Sequence, residues 1–372
     1  MRITGIGLIT PLGATAPQTW SALLAGEHIR YHARAAGVDA THDRIHTMAQ
    51  RAAAEALAQA RWTERAADAA RTALVVGTSK GPIETWLCPP VALSDVGNRS
   101  GSVVGIRDSA LGLSSIASAL RQKFPICDGS SVTISAACAS GLHALIRAAV
   151  MLKSGEADRV LVVAAEASVH PLFLGSFKRL GVLPREETGC RPFDQNREGF
   201  LMSESAAAVC LELPESEAAA VVRLERFALG GDATHMTGGD PRGATLRRLL
   251  LDVMRGEPVD LIHAHGTGTE FNDPLELAAF DDHCVIHNRV PRVYSHKGAL
   301  GHSLGAAGLV SVALNCMIHT QGIVPPNVRT TQPLPTRRLR IAREAERTPI
   351  QRSLAIAAGF GGPTAAVSLA SP

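Results

Sequence analysis

A cysteine stands among small side chains at the point where a strand gives way to a helix. Residues 131–134 (SVTI) are short and β-branched and predict the strand. Cys138 lies on the turn that follows, where the free N–H groups of a helix N-terminus lower a thiol's pKa and favour the nucleophilic thiolate. A buried structural cysteine is the competing interpretation. Apolar residues at helical spacing predict the buried face of the helix: Leu142, Leu145, Ile146 and Ala149.

Two histidines lie two residues apart near the end of a later predicted strand. His263 and His265 share one face of that strand, as two metal ligands would. A third ligand at a fixed spacing is missing, since His283 and His287 lie in a polar stretch typical of a solvated surface. The loop at 266–269 (GTGT) carries small hydroxyl side chains at the carboxyl end of a strand, where open α/β sheets bind ligands. No metal site is predicted.

Two glycine-bearing stretches near the C-terminal end add further candidates. In residues 293–308 (VYSHKGALGHSLGAAG), Lys297 and His302 flank a loop that precedes a helix. The run GAAG allows that helix to pack closely, but close packing does not explain why a histidine stands at position 302. In residues 357–366 (AAGFGGPTAA), glycines around Phe360 can expose a backbone N–H to an oxyanion, although an ordinary hairpin turn has the same pattern.

Strands and helices alternate along the chain, as in an α/β protein. A soft boundary near Glu215 divides it into 1–215, with the cysteine, and 216–372, with the two histidines, the halves forming one compact unit. Residues 82–108 have weak periodicity and predict irregular structure. Strands are predicted at 2–9, 73–76, 131–134, 160–164, 206–213, 221–229, 261–264, 354–358 and 365–369, and helices at 45–60, 111–122, 245–254, 274–280 and 305–319.

Composition narrows the class of protein. With 46% hydrophobic and 19% charged residues, the 372-residue chain suits a soluble protein with a sizeable core. A net charge of +3 without a basic stripe argues against nucleic-acid binding. Seven cysteines without C-x-x-C spacing, and a start too rich in Gly and Pro for a secretory signal, predict reduced thiols in the cytoplasm. The sequence contains no run of about 18 apolar residues, so no membrane span is predicted.

Taken together, the motifs resemble those of the elongating 3-oxoacyl-(acyl carrier protein) synthases, the type II beta-ketoacyl synthases of fatty-acid and polyketide assembly. Each motif is weak alone, but the set in one order is specific. The resemblance implies a thiolase-like α/β fold of two similar halves, each with a five-stranded mixed sheet, stacked in five αβαβα layers. The motifs follow the family's order: ITGIGLITPLG, AACASGLHAL, RPFDQNREGF, AHGTGTEFNDPLE, SHKGALGHSLGAAG and GFGG.

The resemblance assigns a decarboxylative Claisen condensation to these residues. Cys138 holds the acyl chain as a thioester. His265 and His302 donate hydrogen bonds to the enolate that malonyl-(acyl carrier protein) forms when it loses carbon dioxide. The backbone N–H groups of Cys138 and Phe360 form the oxyanion hole for the attack that yields 3-oxoacyl-carrier.

Other residues receive supporting roles from the same resemblance. Lys297 either tunes His302 or pairs with a nearby acid. Phe360 acts as a gate between the acyl pocket and the malonyl site. Lys178 and Arg179 are weak candidates for docking an acidic carrier, since exposed basic pairs are usually only solvated surface. The remaining members of the set are the acids Asp273 and Glu276, the hydroxyls Thr267 and Thr269, and the gate-loop glycines Gly359 and Gly361.

The resemblance also implies partners. An acyl carrier protein brings the substrate on its phosphopantetheine arm, and the enzyme itself binds no cofactor. The protein forms a dimer, either with a second copy or with a chain-length-factor-like subunit. Neither nucleic acid nor a membrane is an expected partner.

Several positions depart from the family's pattern. Ser203 and Ser205 stand in place of the glycines of a Gly-Glu-Gly, and Ser311 stands where a glutamate usually partners the lysine. Pro363 begins the pair that follows GFGG in place of Thr-Asn, and His263 replaces an asparagine. These changes surround the catalytic set without touching it. They favour a specialised pathway, such as polyketide or polyene assembly, over housekeeping fatty-acid elongation.

Two other functions stay open. A non-catalytic chain-length-factor-like subunit would share the fold; Cys138, His265 and His302 argue against it, whereas Ser311 keeps it open. An acyltransferase that passes its acyl group to a hydroxyl or an amine would need the cysteine but would release no carbon dioxide. The sequence leaves open the acyl length, the product, and the choice between homodimer and heterodimer.

Overall fold

Strands and helices alternate in the computed structural model, which describes residues 1–38, 44–62, 64, 71–87, 112–185, 188–213, 220–284 and 290–372. The strands are β1 (Arg2–Ile9), β2 (Thr72–Gly77), β3 (Ser131–Ile134), β4 (Arg159–Glu166), β5 (Ser205–Glu212), β6 (Val222–Gly231), β7 (Leu261–His263), β8 (Arg292–Tyr294), β9 (Ile323–Val324), β10 (Arg340–Ile341), β11 (Glu346–Arg347), β12 (Arg352–Ala358) and β13 (Pro363–Ala370). The helices are α1 (Ala16–Leu24), α2 (Arg44–Ala60), α3 (Ile83–Leu87), α4 (Ser115–Lys123), α5 (Ser140–Lys153), α6 (Pro171–Arg179), α7 (Ala244–Met254), α8 (Asn272–His283), α9 (Lys297–Leu300) and α10 (Ala307–Gln321).

The two halves of the chain repeat one strand order. In the first half the order is β3-β2-β4-β5-β1, and in the second it is β8-β7-β12-β13-β6, with the short β10 added beside β8. In each half, the first three strands of this order pair in parallel, and the two pairings that follow are antiparallel. A short antiparallel pairing of β1 with β6 joins the halves into one eleven-stranded sheet. This repeat is the predicted thiolase-like architecture.

Helices α5 and α10 form the layer between the two halves. Both contribute to a core cluster that also includes side chains from strands of each half. They approach closely because a Cβ on Gly141 would lie 2.8 Å from the backbone N of Leu309, and one on Gly308 would lie 2.8 Å from Leu142. Helices α2 and α4 cover the outer face of the first half, and α7 and α8 cover that of the second. The result is five αβαβα layers.

The predicted elements agree with most of the observed ones, but helices α1, α3, α6 and α9 and strands β8 to β11 were not predicted. Helix α1 begins after the N-cap Thr15, and α6 begins after the N-cap His170; each has a proline in its first turn. Within the stretch predicted as irregular, residues 83–87 form α3, while 88–108 lie outside the described residues, as does the predicted boundary at Glu215. That boundary stays a prediction.

Among the residues that the structure describes, one helical stretch is long and apolar enough to cross a membrane by length and composition alone. It covers Leu304–Gln321, which combines a 3-10 turn with α10, and 78% of it is buried inside the protein. Its apolar character follows from its place between the two halves of the eleven-stranded sheet, where it packs on both sides.

Candidate active site

The turn between β3 and α5 holds Cys138 in a strained loop. Ala137, directly before it, has a positive φ of 47°. The Ser140 hydroxyl stabilises the turn, since it accepts a hydrogen bond from the N–H of Ala136 (2.9 Å) and donates one to the Ala137 carbonyl (2.6 Å). Cys138 therefore lies at the start of α5, as predicted.

The environment of Cys138 opposes the predicted thiolate. Burial raises the pKa of its thiol to about 11, and the Glu166 carboxylate raises it further. The positive charges of Lys297 and Lys80 lower this pKa, but they do not overcome desolvation. This pKa lies above the ordinary thiol value and so differs from the lowered pKa expected at a helix N-terminus, although Cys138 is only partly buried and lines a cavity.

His265 lies in a backbone clamp just after β7. Its N–H donates to Glu276 Oε1 (2.8 Å), and the next N–H, of Gly266, donates to Oε2 of the same carboxylate (2.7 Å). The Lys297 ammonium donates to the His265 carbonyl, and the Ser295 hydroxyl donates to the Gly266 carbonyl (2.7 Å). The N–H and C=O groups of both His265 and Gly266 are thus hydrogen-bonded, which fixes the backbone position from which the His265 imidazole projects.

His302 faces the His265 ring across a small volume of the site. Its N–H donates to the Leu201 carbonyl (2.7 Å), and its carbonyl accepts from the N–H of Ser203 (3.1 Å). Its ring meets that of Phe200 edge to face, with centroids 4.9 Å apart. The rings of His265 and His302 lie 5.5 Å apart at 84°, so two imidazoles face one small volume.

Both imidazoles are neutral at physiological pH. Burial lowers the pKa of His265 and of His302 well below the usual value, and the charge of Lys297 lowers it further. In each ring Nδ1 is buried without a hydrogen-bond partner. A neutral ring carries one N–H, so each can present a donor at Nε2.

Lys297 does not form the predicted ion pair. Within the described residues, no carboxylate lies within 4.0 Å of its ammonium, which instead contacts the carbonyl of His265. Burial lowers its pKa, while the negative charges of Glu276 and Asp273 raise it. Lys297 therefore acts on His265 by contact, and on His302 through its charge.

The two acids hold backbone instead of the lysine. Asp273 accepts from the N–H groups of Phe193 (2.7 Å) and Gly268 (3.1 Å), and so ties the mid-chain RPFD motif to the GTGT loop. Glu276 holds the start of that loop, as described above. In the loop, the hydroxyls of Thr267 and Thr269 lie 2.9 Å apart.

The turn between β12 and β13 packs directly against the cysteine turn. A Cβ on Gly359 would lie 3.1 Å from the backbone N of Cys138 and 2.9 Å from Ala137 Cβ, so only glycine fits there. Within the described chain, the N–H groups of Cys138 and Phe360 donate to no acceptor. The loop is also held from outside, since the N–H of Gly361 donates to the Met236 carbonyl (2.8 Å).

One cavity of about 210 Å³ collects these groups. Cys138, His265, His302 and Phe360 all line it. An apolar wall of aromatic side chains lies beside them, with the ring of Phe177 6.2 Å from that of Phe360. Other lining residues are Val182, Phe200, Thr267, Thr269, Leu275, Glu276 and Gly359. The structure therefore brings Cys138, His265 and His302 to one largely apolar cavity, which Lys297 does not line.

Other candidates lie away from the cavity. Lys178 and Arg179 are exposed at the end of α6, directly after the lining residue Phe177. His263 points elsewhere and bonds to Asn315 and His296. Within the described residues no cluster of three or more His, Cys, Asp or Glu side chains could hold a metal ion; His287 lies outside them.

The departures from the family's pattern have local explanations. Glu204, between Ser203 and Ser205, forms a buried ion pair with Arg44 (2.7 Å), and both serine hydroxyls are buried without partners. The Ser311 hydroxyl donates to the Ala307 carbonyl of its own helix (3.2 Å). The Pro363 carbonyl accepts from the N–H of Gly359 (2.8 Å) and so closes the gate loop.

One buried acid near the site was not predicted. Glu166, at the end of β4, accepts from the N–H groups of Ser79 (2.8 Å), Lys80 (3.1 Å) and Gly305 (3.2 Å). It thereby joins the first half to the 3-10 turn that follows His302. A carboxylate directly after the apolar run 160–165 was the available signal.

Comparisons with known proteins agree with this site. Residues 30–217 match the beta-ketoacyl synthase N-terminal domain, and residues 221–331 match its C-terminal domain. The chain belongs to the beta-ketoacyl synthase family. It is 30% identical to a "putative polyketide beta-ketoacyl synthase 1" of Streptomyces halstedii, over 100% of this chain and 97% of that protein. It is 28% identical to a 3-oxoacyl-(acyl-carrier-protein) synthase 2 of Coxiella burnetii, over 97% and 95%.

Solved structures show the same fold in this synthase family. A type II PKS acyl-carrier protein in complex with its ketosynthase, bound to the hexaketide, contains a chain that superimposes with a TM-score of 0.88 at 24% identity, over 100% of this chain and 98% of that one. The ishigamide ketosynthase/chain length factor gives a TM-score of 0.84 at 23% identity, over 100% and 98%. The thiolase-like fold of this synthase is therefore confirmed.

Proposed function

We propose that this beta-ketoacyl synthase condenses an acyl chain on Cys138 with a malonyl-carrier thioester. The observation that carries the proposal is the single cavity lined by Cys138, His265 and His302. One sulfur nucleophile and two neutral imidazole donors are what a decarboxylating condensation needs, whereas acyl transfer alone needs only the sulfur.

The first step loads the enzyme. The Cys138 sulfur attacks the acyl thioester that the carrier's phosphopantetheine arm brings, the bond from carbonyl carbon to carrier sulfur breaks, and the thiol proton ends on the departing carrier thiol. The N–H groups of Cys138 and Phe360 stabilise the oxyanion of this attack. The product is an acyl-enzyme and a free carrier.

The second step makes the carbon nucleophile. The malonyl group loses carbon dioxide, and the electrons of the broken C–C bond form an enolate whose oxygen accepts from Nε2–H of His265 and His302. The enolate carbon attacks the acyl-Cys138 carbonyl, and collapse of the oxyanion expels the Cys138 sulfur. Because burial raises the pKa of this thiol to about 11, the sulfur takes up one proton. The cycle yields 3-oxoacyl-carrier and carbon dioxide.

The assembly and the setting belong to the same proposal. The carrier protein is the partner in turnover, and the enzyme needs no cofactor of its own. The edge strand β3 at the end of the sheet can continue into a second chain, either a copy of this one or a chain-length-factor-like subunit. The pathway is of the polyketide or polyene type, in the cytoplasm, and the exposed pair Lys178 and Arg179 contributes to carrier docking.

Intact-protein mass spectrometry tests the proposal. The wild-type protein and Cys138→Ala are incubated with a panel of acyl-carrier thioesters, followed by malonyl-carrier, while carbon dioxide is measured. We expect an adduct on the wild type only, and carbon dioxide with 3-oxoacyl-carrier after malonyl addition. An adduct without carbon dioxide would support the acyltransferase. No adduct with any carrier, even with a co-expressed partner subunit, would support the silent subunit.

A further inference from the structure

A row of buried polar side chains runs through the second half of the molecule, behind the catalytic cavity. It begins at His296, directly before Lys297, and continues through His263 on β7 to Asn315 on α10. His296 Nδ1 lies 2.9 Å from His263 Nε2, and His263 Nδ1 lies 2.8 Å from Asn315 Oδ1. All three side chains are at most 1% exposed. None of them lines the catalytic cavity.

The row continues outward to the C-terminal residues. The amide nitrogen of Asn315 lies 3.2 Å from the Ser353 hydroxyl, which lies 2.9 Å from His319 Nε2. His319 Nδ1 lies 3.0 Å from the Ser371 hydroxyl, which donates to the Ile350 carbonyl (2.7 Å). The row therefore ends on a group that can only accept.

That end fixes the direction of every hydrogen bond in the row. Because the one proton of Ser371 is used on the carbonyl, His319 must donate from Nδ1, and its Nε2 must accept from Ser353. The amide nitrogen of Asn315 then donates to Ser353, and its oxygen accepts from His263 Nδ1–H. In turn, His263 Nε2 accepts from Nδ1–H of His296.

The inner end of the row is a nitrogen without a proton. His296 Nε2 is buried and has no hydrogen-bond partner. All three histidines are neutral, since burial lowers the pKa of His263 to about 3 and of His319 to about 4, and that of His296 well below its usual value. Because His263 Nε2 accepts from Nδ1–H of His296, the row holds the His296 ring at the start of α9, directly before Lys297.

Lys297 is the first residue of α9, and its position depends on His296, whose carbonyl accepts from the N–H groups of Ala299 (3.0 Å) and Leu300 (2.8 Å). Its ammonium is buried and contacts a carbonyl, and Ser311 on the facing helix uses its hydroxyl on its own backbone. A buried cation is costly unless oriented dipoles surround it. The titratable groups that act on Lys297 or are affected by it are Glu276, Asp273, Cys138, Cys190, His263, His265, His296 and His302.

We infer that His296, His263 and Asn315 are positioning residues of the decarboxylation step: their row of hydrogen bonds anchors the start of α9 and so keeps the Lys297 ammonium on the His265 carbonyl. The inference rests on the proposed function and adds to it. Loss of the row would loosen the clamp on His265 and weaken enolate stabilisation. The Cys138 turn, which lies in the other half, would keep its acylation chemistry.

Two substitutions at one position test the inference. His263→Leu removes both hydrogen bonds of the central imidazole. His263→Gln can restore them, since its amide nitrogen can donate to Asn315 and its oxygen can accept from His296. His46→Leu is the matched control, because His46 bonds to Ser115 (3.1 Å) on the outer face of the first half. Each variant is assayed separately for acyl loading of Cys138 and for carbon dioxide release from malonyl-carrier.

For His263→Leu we expect carbon dioxide release to fall about tenfold and loading to stay within about twofold, as loss of positioning alone predicts. His263→Gln should recover most of the loss, and His46→Leu should match the wild type in both assays. The alkaline limb of carbon dioxide release should move to lower pH in His263→Leu, because an unsupported Lys297 loses its proton more easily.

Equal falls of loading and carbon dioxide release in His263→Leu would overturn the inference and indicate a packing role, and so would no change in either. An unmoved alkaline limb would also count against it. Thermal unfolding of each variant shows whether a fall reflects loss of fold, and the Gln variant keeps the test valid if the Leu variant does not fold. If the wild type itself neither loads nor releases carbon dioxide, the proposed function fails instead.

Discussion

The two halves use the same position of the same strand order for different chemistry. In the first half, the third strand β3 passes through residues 135–139 into core helix α5, and this short turn carries the nucleophile. In the second half, the third strand β8 passes through residues 295–306 into core helix α10. That longer passage carries Lys297 and His302. A repeated scaffold thus presents sulfur from one side and imidazole from the other.

The difference lies in what holds each passage. The backbone of the cysteine turn is held by hydrogen bonds within the turn, because the Ser140 hydroxyl bonds to the backbone of Ala136 and Ala137. The passage of the second half is held from elsewhere, by Leu201, Ser203 and the side chain of Glu166. Local structure therefore places the nucleophile, although its oxyanion site also uses the Phe360 N–H of the second half, whereas the residues of decarboxylation are placed by contacts between distant parts of the chain.

Removal of the nucleophile should give the largest effect. In Cys138→Ala we expect 3-oxoacyl-carrier formation to fall by at least about 10³-fold, because no other side chain at the turn can hold the acyl group. Product analysis by mass spectrometry measures this. Cys190→Ala is the control, since Cys190 is a buried cysteine with its sulfur near the Thr267 carbonyl (3.7 Å). A similar loss of 3-oxoacyl-carrier formation in both variants would contradict the assignment of Cys138 as the nucleophile.

Removal of one imidazole should affect the other half-reaction. In His302→Ala we expect carbon dioxide release from malonyl-carrier to fall about 10²- to 10³-fold, the usual effect of losing one oxyanion donor. Loading of Cys138 should change by no more than a few fold. The assay is carbon dioxide release under single-turnover conditions. Undiminished release would mean that His302 has no part in stabilising the enolate.

The pH dependence of loading sharpens the account of the first half. Because burial raises the pKa of Cys138 to about 11, the thiolate is the minor form below that pH and increases as pH rises. We expect the loading rate to rise about tenfold per pH unit between about pH 7 and 9. Rapid-quench loading at several pH values measures it. A flat profile would show instead that the start of α5 holds a thiolate.

The contact between the halves should give the smallest effect. In Gly141→Ala, the added methyl meets the backbone of Leu309 at 2.8 Å, and we expect the free energy of unfolding to fall by about 1–3 kcal/mol. Gly175→Ala is the control, because a Cβ there meets nothing within 4 Å in helix α6. Urea unfolding compares the two. Equal stability of both variants would contradict the close packing of α5 and α10.

Much of the fold and of the site could be predicted from local sequence. Strands such as β4 are apolar between their two charged end residues, and the cysteine turn joins a strand to a helix through small residues in one stretch. The family's motifs located His265 and His302 because each motif is contiguous. These features are encoded by neighbours in the chain.

The remaining features depend on contacts between distant residues. Lys297 was expected either to tune His302 or to pair with an acid. The second alternative fails because the carboxylates of Asp273 and Glu276 are occupied by backbone N–H groups that only the folded chain brings to them. The thiolate expectation considered the helix N-terminus and omitted desolvation. The row of hydrogen bonds from His296 to Asn315 joins residues far apart in the chain, and no local sequence pattern predicts it.

The most direct test of the division between halves measures both half-reactions in two variants side by side. Cys138→Ala and His302→Ala are each assayed for acyl loading by intact mass and for carbon dioxide release from malonyl-carrier. The account predicts a crossed pattern, in which Cys138→Ala releases carbon dioxide without loading and His302→Ala loads without releasing it. Loss of both half-reactions in both variants, with the fold intact, would contradict it.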